Sequence, residues 1–400
     1  MSEMTATRMV RAGILAAIAV VWFGAAYTLW QTEVPDGLRL PDLDERRYFG
    51  ADALADFERH DRALRALGLG GIAAELLGLG LLALRPPRVR GPAPAQAGQL
   101  AGLAVGAAFL ARLPFALAIV WWQRHEGIAR VGYGRWLLDR LPELAVRAAI
   151  LAAAAAVIVF LAQHLGRRWW LVGVPAFVAI AGAVVVLQPL LTPRVDSLDR
   201  PRLVAQIGEL GKRQGLADVD VEVRDARSRS RQLNAEALGV GPTTRIILWD
   251  TTLQLPPRIV LFLAAHELAH VSRHHLWKGL GWFVLFAVPL AYLLARLVDL
   301  RQAQAVPVAV LVGVLLVLVV TPAASAVSRR YEAEADWVAL RTARDPEAAE
   351  QLLVALAVAA KRDPTPPELY TLVFGTHPPI LDRIAMAEAF RSGRRSPGGS

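Results

Sequence analysis

The chain has no cysteine, three lysines (Lys212, Lys278 and Lys361) among 44 basic residues, and a charged share of only 20%. Each shortage excludes something. Without Cys there is no disulfide framework, no thiol nucleophile and no thiolate-held metal. The compartment stays open, because such a chain is indifferent to redox. A soluble domain carries about 25% charged residues. A 20% share, with 55% hydrophobic residues and a mean hydropathy of +0.39, therefore argues against one. The same apolar richness excludes a disordered chain. A net charge of +9 would allow a nucleic-acid footprint. Basic residues at the ends of apolar segments are, however, the ordinary dressing of a membrane protein, and no nucleic-acid partner is expected.

What is present is gathered into apolar runs: residues 12–30, 66–84, 100–122, 148–163, 169–191, 279–295 and 302–328. A bilayer-spanning helix needs about 20 such residues, so about seven transmembrane helices are expected. The first run follows Arg8 and Arg11. It exceeds the usual signal-peptide core of about 7–15 residues and no small-x-small cleavage site follows it, so it reads as a retained helix. Glu75 and Arg112 fall inside runs, where a charge either faces a bundle interior or watery cavity or reaches for the interface.

Polar stretches lie between the runs. Residues 31–65 form a charged loop with a turn at Pro35-Asp36-Gly37 and an amphipathic piece over 51–65. In 192–278 the pattern predicts a helix over 201–214, a strand over 219–223, and a second strand over 245–250 after turn residues 239–242. Beyond 329 the chain reads as helical to 360, breaks at 363–367, and ends in a disordered Arg/Ser/Gly tail.

His266-Glu267-Leu268-Ala269-His270 sits in a helical stretch opened by Pro256-Pro257. Residues four apart share one helix face, so both imidazoles can reach one metal ion while Glu267 is placed to take a proton from bound water. Zn2+ suits imidazole ligands with an open position and a water whose pKa falls to about 7. With eight His in the chain, such a pentapeptide arises by chance on the order of 0.01 times. The bland alternative is a pair of surface or capping histidines. It fits poorly in a helix otherwise made of Ile259, Val260, Leu261, Phe262 and Leu263, where unpartnered polar groups are expensive. His274 and His275, near the membrane at the helix end, read as ordinary cationic residues.

A catalytic zinc wants a third protein ligand. Glu332 and Asp336 lie four apart, with Glu334 pointing elsewhere. Glu332 fits as ligand, and Asp336 as the acceptor orienting one histidine through its other ring nitrogen. Alone, a solvated face pairing with Arg329 or Arg330 would be the better reading; beside the histidine pair it is not. Two runs, 279–295 and 302–328, separate the histidines from Glu332, and an even number returns the chain to the same side. Gly279 follows His270 by nine residues, about 13 Å at helical rise. The metal therefore belongs close to the membrane boundary or inside it.

With these residues in view, the chain resembles the CAAX prenyl endopeptidase type I family of integral-membrane zinc metalloproteases, in the glutamate-zincin group. The resemblance covers nearly the whole chain. It implies a mainly α polytopic membrane protein with a small α+β zincin-like catalytic domain at the membrane boundary, its helices enclosing a water-filled chamber. The division it suggests is a five-helix membrane domain over 1–191, a metallopeptidase domain over 192–390 that includes the two-helix insertion, and a tail over 391–400. It implies one Zn2+ per chain held by His266, His270 and Glu332. Asn234-Ala235 is similar to an edge-strand segment along which substrate lies extended. His377-Pro-Pro-Ile-Leu-Asp-Arg383 is similar to a segment whose His and Arg stabilise the oxyanion.

The expected partners are a peptide or protein substrate, with or without an attached lipid, and the bilayer. Orientation follows from Lys and Arg. Segments 31–65 and 124–140 carry six and four on the catalytic side, against nine on the other. Arg194, Lys278, Arg329 and Arg330 tip the balance toward a cytoplasmic site in the cell membrane, although net charge per loop points the other way. The rival readings are a stress-type membrane quality-control protease, and a transporter or receptor with a relic metal site.

Overall fold

A computed structural model describes residues 3–239 and 243–395. Five helices come first: α1 (Glu3–Trp30), α2 (Ala51–Leu84), α3 (Ala93–His125), α4 (Tyr133–Leu165) and α5 (Trp170–Leu191). After a segment holding α6 (Pro201–Arg213) and four strands come α7 (Pro257–Ser272), α8 (His275–Leu297) and α9 (Val306–Ala343). The chain closes with α10 (Pro346–Ala360), α11 (Glu368–Phe374) and α12 (Ile380–Arg395).

Among the described residues, α2, α3, α4, α5, α8 and α9 are long and apolar enough to cross a membrane, and α1 ends in a shorter apolar stretch, Ala16–Trp30. The expectation of about seven spans is thus met by six long helices and this shorter one. Their outer faces present Val20, Leu84 and Val319, each more than 70% exposed. That is the arrangement for helices whose solvent is hydrocarbon and whose backbone bonds close within each segment. Pro114, Pro142, Pro289 and Pro322 sit inside these helices, as neighbouring helices in a membrane allow. The two intramembrane charges meet: Arg112 Nη1 lies 2.8 Å from a Glu75 carboxylate oxygen, joining α3 to α2.

Several helices outrun their apolar runs, and in two cases this bears on the site. The amphipathic piece over 51–65 is not separate but continues unbroken into the span as α2, because no proline interrupts it. Its Phe57 packs with Phe49, Leu353 and Ile384. Likewise α9 leaves the apolar run and proceeds without a break through Glu332 and Asp336.

The strands β1 (Asp196–Ser197), β2 (Asp220–Arg224), β3 (Ala235–Leu238) and β4 (Arg245–Trp249) form one sheet in the order β1-β2-β4-β3. β2 and β4 run parallel, Val221 opposite Ile246; β3 is antiparallel to β4, Ala235 opposite Leu248. Ile246, Ile247 and Leu248 are wholly buried, as expected of a strand covered on both faces. Ile246 and Leu248 join a core with Ile207 of α6, Leu263 and Leu268 of α7, Leu340 of α9 and Leu352 of α10. Within the sheet Arg245 donates to both oxygens of the buried Glu222 carboxylate, at 3.2 and 3.1 Å.

The predicted helix over 201–214 and strands over 219–223 and 245–250 are found within a residue or so of their expected bounds. The tail expected from 391 is instead helical to Arg395 at the end of α12; its remainder lies outside the described residues, as do 240–242 of the predicted turn.

Candidate metal centre

Pro257 opens α7 at its first turn, where a missing amide costs nothing. The helix buries Val260, Leu263, Ala264 and Leu268 against the sheet, which turns the face of His266 and His270 toward α9. His266 Nε2 and His270 Nε2 are 3.3 Å apart, and Glu332 brings its carboxylate to 3.3 Å from the first and 3.7 Å from the second. The ligand atoms of the three side chains all lie within 4.8 Å of one another.

The donor set fits a cation. Glu332 Oε2 is buried and faces only imidazole nitrogens, His266 Nε2 at 3.3 Å and His377 Nε2 at 3.2 Å, without a well-formed hydrogen bond to either, an unfavourable state for a charged oxygen that a cation would relieve. His266 Nδ1 lies 2.9 Å from Asp336 Oδ1 and donates to it, which leaves Nε2 directed at Glu332. Asp336 is in turn gripped by Arg383, whose Nε and Nη2 donate at 2.7 and 2.8 Å. Burial alone would lower the His266 pKa, but the carboxylates of Asp336 and Glu332 outweigh it and hold it up at about 10. Burial, aided by the His266 charge, lowers His270 to about 3. One proton is therefore trapped among acceptors, and a divalent cation in its place would meet two imidazole lone pairs and a carboxylate.

Glu267 faces a groove of about 530 Å³ that Asn234, Trp249, His266, His377 and Arg383 also line. Larger cavities exist elsewhere, but here the titratable groups converge. Burial pushes the Glu267 carboxyl up to about 7, against the opposing His266 charge and Ala237 amide. That is a pKa suited to a proton carrier near neutrality. His377 Nε2 comes to 3.2 Å from Glu332 Oε2 with its side chain 48% exposed to the groove.

Residues 197–391 match the model of peptidase family M48. That segment, just under half of the chain, is similar to peptidase family M48. The M48 match takes in both histidines, Glu332, Asp336, His377 and Arg383. The fold of the whole chain is similar to that of Ste24p from S. mikatae, with a TM-score of 0.71 at 17% identity, covering 92% of this chain and 97% of that one. The likeness is one of fold, and the six long apolar helices of the chain suit a multi-pass membrane protein. The chain is also 28% identical over 272 residues to the uncharacterized metalloprotease YhfN of Bacillus subtilis (strain 168), covering 63% of this chain. The match spans 64% of that relative's length.

The structure brings the sequence-derived residues of this candidate site together, with two refinements. Ala235 buries its methyl group in the sheet core, so only its backbone faces outward; Asn234 alone of the pair lines the groove. Arg383 spends two donors on Asp336. Sequence reasoning missed three participants. Ala237, on β3, directs its amide at Glu267. His275, read as an ordinary cationic residue at the helix end, and Glu334, read only as pointing away from the Glu332 face, are both buried and bonded to each other. The available signal was a histidine at the entrance of an apolar span, five residues after a ligand.

Proposed function

We propose that this chain is a membrane-embedded zinc metalloendopeptidase of the CAAX prenyl protease type, cutting peptide bonds in peptide or protein substrates. The observation that carries the reading is the convergence of His266, His270 and Glu332 beside Glu267, at the floor of a groove bordered by Asn234 at the start of β3. Zinc, one per chain, suits two imidazoles and a carboxylate, and when bound it supplies Lewis acidity and acidifies a coordinated water. Glu267 accepts the proton of the attacking water on its carboxylate and delivers it to the leaving amine nitrogen. His377, exposed at the groove, donates to the developing oxyanion. Arg383 adds positive charge there while holding Asp336.

Among the described residues β3 is the last strand of its sheet, paired with β4. A substrate segment adds to its free edge as an extended strand, the backbone bonds giving affinity and the groove giving choice. A cavity of about 800 Å³ adjoins the groove, sharing Pro366, Thr371, Pro378 and Pro379, and includes Trp30, Leu369 and Leu372 in its wall. Its apolar wall supports a substrate that carries a lipid or other apolar group. The Lys and Arg residues near the span ends support a cytoplasmic site in the cell membrane.

The test is Glu267→Gln. Loss of peptide cleavage with metal still bound supports the mechanism, and retained cleavage refutes it. The same variant traps substrates for mass spectrometry. Lipidated C-terminal peptides on the trap support the CAAX reading, whereas unmodified, misfolded membrane proteins transfer the chain to quality control.

A further inference from the structure

A network outside the proposed ligand set leads from His270 to the membrane boundary. His270 turns Nε2 toward His266 and Glu332, and its other ring nitrogen, Nδ1, lies 2.9 Å from His275 Nδ1. On the far side of that ring, His275 Nε2 is 2.8 Å from Glu334 Oε2. Both residues are buried, His275 at 7% and Glu334 at 1% exposure. We propose that His275 and Glu334 position His270, as Asp336 and Arg383 position His266, and thereby tie the metal centre to the junction of α1, α8 and α9. The inference rests on the metal-centre reading above and deepens it.

The direction of the chain of bonds follows from the groups at its two ends. A carboxylate only accepts, so the hydrogen between His275 and Glu334 sits on His275 Nε2. A neutral His275 then has a bare Nδ1, which accepts. His270 must accordingly carry its own hydrogen on Nδ1 and donate, leaving its Nε2 lone pair free for a cation. The opposite order would put a hydrogen on His270 Nε2 and close the site. The network therefore selects the ligating tautomer as well as the ring orientation.

Glu334 is suited to anchor such a chain. Its Oε2 also accepts from Lys278 Nζ at 3.1 Å, and its Oε1 from the Glu33 backbone amide at 2.9 Å. The His275 ring lies flat on Tyr331, with centroids 4.7 Å apart and planes 8° from parallel. Tyr331 donates its hydroxyl to the Leu29 carbonyl at 2.6 Å and accepts from Trp282 Nε1 at 2.9 Å. The helices come close here: a Cβ on Gly281 of α8 would stand 2.9 Å from Leu29 of α1. The brace on His270 is thus assembled from the exit of α1, the first turn of α8 and the emerging part of α9. A residue serving only to start α8 would need no contact with a proposed metal ligand.

The experiment uses the full chain in detergent. Zn2+ affinity is measured by competition with a chromogenic chelator, Co2+ substitution gives a visible spectrum of the site, and melting of the metal-free protein reports the fold. His275→Phe keeps the ring on Tyr331 but removes the acceptor. It should weaken Zn2+ binding by about 10–100-fold, the usual consequence of losing a partner behind a metal ligand, and shift the Co2+ bands. His275→Asn, whose carbonyl oxygen takes the place of Nδ1, should recover most of the affinity. Wild-type affinity and spectrum in the Phe variant overturn the inference. So does an equal loss in both variants that follows a lowered melting temperature, since that marks a structural role. If the wild-type chain takes up no metal, the metal-centre reading itself fails and this inference falls with it.

Discussion

Replacing Glu267 by Gln should stabilise the metal-free protein while removing its proposed base. In the fold, burial lifts this carboxyl from 4.5 to about 7. The folded state therefore holds the proton more tightly than the unfolded chain does. Below the unfolded value both states are protonated and nothing is lost. As pH rises through 4.5 toward 7, the fold is progressively destabilised by a charge it solvates poorly. At about 1.36 kcal/mol per unit, the full effect is about 3 kcal/mol at a pH of about 8, falling to about 1.4 kcal/mol near pH 5.5. Gln keeps the shape and has no such charge. For a unit of about 150–250 residues, 1 kcal/mol shifts the melting point by roughly 2–4 °C, so the variant should melt about 6–12 °C higher at the alkaline pH. The assay is calorimetric melting of chelator-treated wild type and Glu267→Gln in the same detergent at both pH values. A variant that melts no higher at pH 8, or whose advantage fails to shrink at pH 5.5, refutes the reasoning.

Other consequences are as direct. Asp336→Asn removes the anion that accepts from His266 Nδ1 and pairs with Arg383. Zn2+ affinity should fall by about 10–100-fold, read by chelator competition. Glu222→Ala leaves Arg245 buried without its carboxylate in the sheet, and denaturant unfolding should register a loss of about 3–5 kcal/mol. His377→Ala should lower kcat by about 10²–10³-fold with Zn2+ affinity unchanged; an unaltered kcat would remove His377 from the oxyanion role.

The metal centre was legible because its spacing is local. His266 and His270 are four apart on one helix, as are Glu332 and Asp336, and the intervening hairpin brings the two pairs to one side of the membrane. His275 was misread, and the burial of Glu334 not foreseen, for the converse reason. Their burial depends on α1 closing over them, through contacts such as Glu33 to Glu334 that join residues 301 positions apart, and no window of sequence encodes that. β3 was visible only through resemblance. Ala-Glu-Ala-Leu has the composition of a helix, and becomes a strand because β4 offers it a partner. The start of α2 was placed late because polar composition was taken to end the spanning helix, whereas Phe57, packed against Phe49 and Ile384, holds the extension.

The continuity of α9 has a mechanical meaning. Glu332 stands ten residues beyond Pro322 on the same uninterrupted helix, a lever arm of about 15 Å. A rotation of about 4° at the proline would carry the Glu332 carboxylate by about 1 Å, a misplacement able to cost about 10²-fold in rate. Hydrocarbon thickness changes the tilt of spanning helices. Turnover in vesicles of graded acyl-chain length should accordingly pass through an optimum, with the bilayer acting as the gauge that sets the distance between Glu332 and the two histidines.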